Sequence, residues 1–241
     1  MKLKDLDNKK IGFSHGALHK LIDIYSKAAI DIYKSYSKDA LELSLVRREG
    51  IDKVRNIIPH AKDIVYKSIH LPSDVVYKND ADTIKILDEV AIYYKELEAD
   101  LVLLHPDVVE DWKVFDAYPF NWAIENMDSN HSVYTTVDQL EVFFKERPNW
   151  KFVLDLNHCY SNDRTMKLAK DFIARLGNRL AEVHLSGYEV YHEPLFRNDQ
   201  DIIIEQCKDL AVPIIIESTF DNLDDIGKEF DYISKYLMSS R

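Results

Sequence analysis

The sequence predicts one α/β domain, a single (β/α)8 TIM barrel over residues 1–241 whose functional groups gather at the C-terminal ends of the strands. Three observations predict it. Eight short β-branched runs alternate with helical patterns, the signature of βα units and a parallel sheet. The length of 241 residues is close to the roughly 250 typical of such barrels. No G-x-G-x-x-G or phosphate loop follows any strand, which argues against an open doubly wound sheet, a fold that usually needs fewer strands.

The elements follow in order. Lys10-Ile11-Gly12-Phe13-Ser14 reads as the first strand. Apolar residues at Leu18, Leu21, Ile22, Tyr25, Ala28, Ala29 and Ile32 have helical spacing and predict one helix over 17–36. The second strand is expected at 40–45, with a helix over 51–58, and the third at 63–70, closed by Pro72. A helix over 82–97 leads to the fourth strand, 100–105, stopped by Pro106. Only about fifteen residues, aromatic and acidic with at most a short helix, connect it to the fifth strand at 121–125. Helices over 136–146 and 164–176 flank the sixth strand, 151–156. The seventh strand, 180–185, precedes a long loop, 186–198, and a helix over 199–210. The eighth strand is 212–217 and the last helix 223–237.

Composition narrows the function. Apolar residues make up 46% and charged residues 30%, normal for a globular chain with a real core. No apolar run approaches the ~20 residues that span a bilayer, and the start of the chain lacks the apolar core of a signal peptide, so a cytoplasmic location without membrane contact is expected. Cys159 and Cys207 have neither metal nor redox spacing. The formal net charge of −11 disfavours nucleic acid, which is usually met by a basic face, and suits a small substrate better.

The strand ends carry the chemistry. In order they present Ser14 and His15, Glu42, His70, His105, Glu125, Asp155 with His158, His184 and Glu217. Five of the nine histidines, His70, His105, His158, His184 and His192, fall at strand ends or in the loops just after them. One histidine alone is more often a hydrogen-bonded structural residue, and one carboxylate often only caps the next helix. Average composition, however, would put about one or two His, Asp or Glu at eight strand ends. Burying so many carboxylates and imidazoles is very unfavourable without a compensating cation. A metal centre is the economical reading, and the ligand types suit Zn²⁺, Mn²⁺, Co²⁺ or Fe²⁺ better than Ca²⁺ or Mg²⁺.

Several segments, in this order on successive strands, resemble the xylose isomerase-like and endonuclease IV-like TIM-barrel superfamily, its sugar phosphate isomerase/epimerase members in particular. They are Ile69-His70-Leu71-Pro72, Leu104-His105-Pro106, Ile124-Glu125-Asn126-Met127, Leu154-Asp155-Leu156-Asn157-His158 and Val183-His184-Leu185-Ser186. His192-Glu193-Pro194-Leu195 is similar to the H-x-P-L element of those members. The resemblance implies a metal site of Glu125, Asp155, His184 and Glu217, with Glu125 and Glu217 also the acid/base pair and His158 at the substrate. In endonuclease IV the equivalents of His158, and of His70 and His105, hold further zinc ions, so His70, His105, His158 and His192 are additional ligand candidates. The chain departs from the pattern after the seventh strand. Val190 stands where endonuclease IV has an aspartate two before His192, Gly187 replaces the usual aspartate after His184, and Phe196-Arg197-Asn198 replaces a Gly-rich stretch.

The expected activity is that of an isomerase or epimerase of a small sugar or sugar phosphate, acting by proton transfer through an enediolate with one to three divalent transition metals (Zn, Mn or Co) per chain. Glu125, Glu217 and His158 are the expected catalytic residues, and His70, His105, His192 and Arg197 the expected substrate contacts. The alternative is a zinc-dependent phosphodiesterase resembling endonuclease IV, which the histidine set favours and the acidic balance opposes. Arg47, Arg48, Arg164 and Arg197 are the candidates for a substrate phosphate. Trp112, Phe115, Tyr118, Phe120, Tyr188, Tyr191 and Phe196 either pack their loops onto the barrel or a partner subunit, leaving a homo-oligomer open, or form a wall over the site.

Overall fold

In the computed structural model, which describes residues 9–45 and 47–238, eight parallel strands form a closed barrel in sequence order. The strands are β1 (Ile11–Ser14), β2 (Ala40–Ser44), β3 (Tyr66–His70), β4 (Leu101–Leu104), β5 (Trp122–Glu125), β6 (Lys151–Asp155), β7 (Leu180–Leu185) and β8 (Ile214–Ile216). β1 pairs with both β2 and β8, which closes the ring. The start of the chain, expected to carry no signal peptide, lies outside the described residues. Among the described residues no helix is long and apolar enough to cross a membrane.

Alternation along each strand sorts the side chains. Leu41, Leu43, Val102, Leu104, Ile124, Leu154, Val183 and Ile216 face outward into the layer between barrel and helices. Ala40, Tyr66, Leu101, Leu103, Ala123, Val153 and Ile215 fill the barrel interior as a separate apolar cluster. Polar side chains sit above this plug, toward the C-terminal strand ends. The walls are close: a Cβ on Gly12 would stand 1.7 Å from the Ala40 carbonyl oxygen.

The helices differ from the sequence expectation in instructive ways. Residues 15–18 form a 3-10 turn, and α1 (Lys27–Tyr36) starts only after Ser26, whose Oγ accepts from Ala29 N. An Asp23 turn and this cap divide the predicted 17–36 helix, although its apolar residues still pack on the core. The 51–58 pattern is two short pieces, α2 (Ile51–Val54) and α3 (Ile58–Ala61), the second with Pro59 in its first turn. α4 (Ala81–Leu97) and α5 (Val137–Glu146) match expectation, and α5 opens with a Thr136/Gln139 capping box. α6 (Leu156–Asn162) occupies a stretch where no helix is expected, and α7 (Lys167–Leu176) follows it. Only α8 (Asp201–Ile204) and a 3-10 turn occupy the predicted 199–210 helix, before α9 (Asp224–Met238).

The aromatic loop after β4 packs outward. Trp112, Phe115 and Trp122 join Phe143 and Trp150 in one cluster, with Trp122 stacked on Trp150 at 5.2 Å. Those rings fasten the loop to the barrel wall.

Candidate metal centre

Glu125 ends β5 on its inward face, and its carboxylate is the hub of the strand-end cluster. Its Oε2 lies 3.3 Å from His70 Nε2, 3.6 Å from His105 Nε2 and 3.5 Å from His184 Nδ1. Its Oε1 lies 3.2 Å from His158 Nδ1. Glu217, just past β8, brings Oε2 to 3.3 Å from His184 Nδ1. Asp155 pairs in register with His184 across β6 and β7. The Asp155–His158 spacing has a local cause: Asp155 is the N-cap of α6, its Oδ1 accepts from His158 N at 2.7 Å, and that turn folds the imidazole back over the carboxylate. The aspartate is therefore a helix cap and a member of the centre at once, because Oδ2 remains directed inward.

The loop backbone orients the rings. His70 Nδ1–H donates to Leu71 O and His158 Nδ1–H to Asn126 O, both at 2.8 Å, which turns the Nε2 of His70 toward Glu125 and that of His158 toward Asp155. Asn126 clasps β5 to β6, accepting from Asp155 N and donating to Asp155 O.

Below the centre, inside the barrel, two more carboxylates meet His184. Glu182 Oε1 accepts from Nε2–H at 2.9 Å, and Glu42 Oε2 lies 3.1 Å from the same nitrogen. All three side chains are fully buried. A bulge between Phe152 and Val153 sets the β6–β7 register and puts Glu182 beside Val153. Sequence reasoning misses Glu182, which reads as one more charged residue in an alternating strand. The signal lies in the Glu182-x-His184 spacing, which places both side chains on one face of β7.

Charge in the cluster is balanced by protons. Burial raises the Glu125 and Glu217 carboxyls, but the adjacent His184 outweighs it, bringing Glu125 well below the usual carboxylate range and Glu217 to about 2. Burial lowers His70, yet Glu125 and Glu42 bring it up to about 9, and Asp155 and Glu125 do the same for His158. His184 is also raised, its burial overcome by Glu217, Glu42 and Glu125. Burial pushes Asp155 well up and His105 down to about 3. Imidazolium protons thus occupy the role that a cation would take.

The residues fit a divalent ion. Glu125 Oε2, Asp155 Oδ2 and His184 Nδ1 are buried with no hydrogen-bond partner, and Glu125, Asp155 and His184 each offer a ligand atom within 4.8 Å of the others. His70, His105 and Glu125 form a second such set that shares Glu125. Three unpartnered donors of the N/O type converging in a buried site match transition-metal ligation.

A cavity of about 410 Å³ opens beside the centre, lined by Glu217, His192, Ser14, Ser44, Tyr25 and Arg47 among others. His192 shares a hydrogen bond with Ser186 Oγ through Nδ1, at 2.8 Å, and its ring lies 6.2 Å from His158. The buried Glu229 carboxylate holds the His192 loop by accepting from Leu195 N, Phe196 N and Ser218 Oγ. At Gly187 an added Cβ would come 2.7 Å from Glu193 O, so only glycine lets the two sides of this loop pair so closely. Arg197, expected at the substrate, is tied to Asp221 and Asp225 instead and does not line the cavity. Tyr191 lies edge-on to His192 at the cavity, whereas Tyr188 and Tyr160 hold the Arg164 guanidinium between them.

No family model matches the chain, and neither does any curated protein sequence. Solved structures do. D-psicose 3-epimerase from Clostridium cellulolyticum is 15% identical, with 95% of this chain and 96% of that chain covered and a TM-score of 0.62. Endonuclease IV from Thermus thermophilus is 13% identical over 96% of this chain and 100% of that one, with a TM-score of 0.69. A xylose isomerase domain containing protein from Salmonella typhimurium is 13% identical, covers 96% and 98%, and has a TM-score of 0.65. The chain thus shares over nearly its whole length the barrel fold of these three proteins.

Proposed function

We propose that the chain is a divalent-metal-dependent isomerase or epimerase of a small sugar or sugar phosphate. The observation that carries the reading is the position of Glu217. It belongs to the ligand cluster through His184 and also lines a cavity of small-molecule size. Glu125, Asp155, His184 and Glu217 would hold the ion, which supplies Lewis acidity toward a carbonyl oxygen and its neighbouring hydroxyl. Glu217 and Glu125 are then the two carboxylates available to take a proton from the carbon beside the carbonyl and to return one. His158, its Nδ1–H committed to Asn126 O, has Nε2 left to orient a substrate hydroxyl. His192 and Tyr191 border the cavity.

A second reading, phosphodiester hydrolysis, is favoured by the His70–His105–Glu125 set, which could hold another ion next to the first. One experiment separates them. The metal-loaded protein is incubated in D2O with a ketose panel, deuterium at the carbon beside the carbonyl is followed by NMR, and an abasic-site duplex is offered in parallel. Deuterium uptake that disappears in Glu217→Gln supports isomerisation. Nicking of the duplex with no exchange on any ketose overturns it.

A further inference from the structure

The lining of the cavity carries two cationic side chains, and its arginine is unlike the others. Arg48, Arg55, Arg147, Arg175 and Arg197 pair with carboxylates. Arg164 lies against Tyr160 and Tyr188, and Arg179 donates to Pro148 O. Among the described residues the Arg47 guanidinium has neither a hydrogen bond, an ion pair nor a ring contact, in a chain whose formal net charge of −11 leaves carboxylates in excess. It lines the cavity together with Lys53, whose Nζ lies 5.7 Å from the Tyr25 ring centroid and has no carboxylate partner among the described residues. Glu49, from the same segment, is the one acidic residue that it contributes to the lining beside these two cations.

Both cations come from the segment that follows β2, whereas Glu217 and His192 come from the segments that follow β8 and β7, and all four line the same cavity. Arg47 is exposed, and an exposed guanidinium with its donors unused at the wall of a small-molecule cavity can engage a planar or tetrahedral oxyanion with two parallel N–H bonds. We infer that the substrate carries an anionic group, a phosphate monoester or a carboxylate, at the end remote from its carbonyl, and that Arg47 with Lys53 receives that group. This inference rests on the isomerase reading for the position of the carbonyl. It adds a substrate class, and it selects Arg47 from four candidate arginines, because the other three are already engaged by Asp82, by Tyr160 and Tyr188, and by Asp221 and Asp225.

The test uses matched pairs on the metal-loaded protein: D-ribulose with D-ribulose 5-phosphate, and D-fructose with D-fructuronate. The expected result is a kcat/KM for one of the anionic members on the order of 10–100-fold above its neutral partner, the size of a charge-assisted hydrogen bond. Arg47→Gln should collapse that ratio toward one by raising KM, whereas Arg48→Gln, whose native partner Asp82 lies on α4, should leave the ratio as it is. Which pair shows the preference tells phosphate from carboxylate. An equal or higher kcat/KM for both neutral members, or a preference unchanged in Arg47→Gln, overturns the inference. If no ketose is turned over, the isomerase reading fails by itself. Calorimetric titration with inorganic phosphate and with acetate then decides the anion site: affinity lost in Arg47→Gln upholds it, and affinity absent or unchanged overturns it.

Discussion

Replacing Glu182 by leucine probes whether the carboxylate beneath His184 sets up the ligand above it. Glu182 Oε1 accepts the Nε2–H at 2.9 Å, and both side chains are fully buried. Leucine leaves that proton with only Glu42 Oε2, 3.1 Å away and outside hydrogen-bond geometry. A buried donor without its acceptor costs about 1–3 kcal/mol. The loss also frees the ring to flip, which would turn Nδ1 away from Glu125, Asp155 and Glu217. Outer carboxylates of this kind typically change metal affinity by about 10–100-fold, which corresponds to about 1.4–2.7 kcal/mol, so the two magnitudes agree. Competition against a fluorescent chelator should show that weakening in Glu182→Leu. Long-range ¹⁵N NMR of the metal-free protein should show a changed His184 signature, because its Nε2–H loses its acceptor. Glu182→Gln, which keeps an acceptor oxygen, should stay within a few-fold of the wild type. A leucine variant that folds and binds metal as tightly as the wild type, with an unchanged His184 signature, would refute the reasoning.

Adding Zn²⁺, Mn²⁺ or Co²⁺ at about a thousand times its Kd should stabilise the fold by about 4 kcal/mol, or about 8–16 °C in Tm for a chain of this size; a Tm indifferent to metal and chelator would sink the metal centre. Binding should release protons, because Glu217, Glu42 and Glu125 raise His184 well above the usual imidazole range and burial raises Asp155 well above the usual carboxylate range. Calorimetry in buffers of different ionisation heat measures that release, and affinity should rise with pH. His15 is fully buried, its Nδ1 accepts from Ser44 N, and burial lowers it to about 4. The unfolded chain binds that proton from about pH 6.5 down and the folded chain does not until about pH 4, so stability falls by about 3 kcal/mol as pH drops through this window. Acid denaturation of His15→Gln, followed by circular dichroism, should lack that slope.

Much of the barrel is legible in the chain because its strands are short, β-branched and punctuated. Pro72, Pro106 and changes of periodicity locate the C-terminal end of each strand to within a residue. The helices are less legible. The 17–36 pattern keeps its apolar faces but not its helix, since Ser26 and Asp23 offer the backbone side-chain hydrogen bonds that compete with helical ones. α6 escapes the sequence pattern for a related reason: the Asp155 that caps it reads as a metal ligand, and one residue performs both tasks.

The residue types at the strand ends, and hence Glu125, Asp155, His184, Glu217 and the histidines around them, are determined by the sequence alone, because strand-end position in a barrel is also position on one face. Which atoms meet is a tertiary matter. The closure of β1 on β8 and the bulge between Phe152 and Val153 bring Glu42 and Glu182 to the underside of His184. Pairing with Asp221 and Asp225 removes Arg197 from the cavity and leaves Arg47 as its unpaired arginine. Such choices depend on distances across the barrel between residues far apart in the chain, which no local pattern encodes.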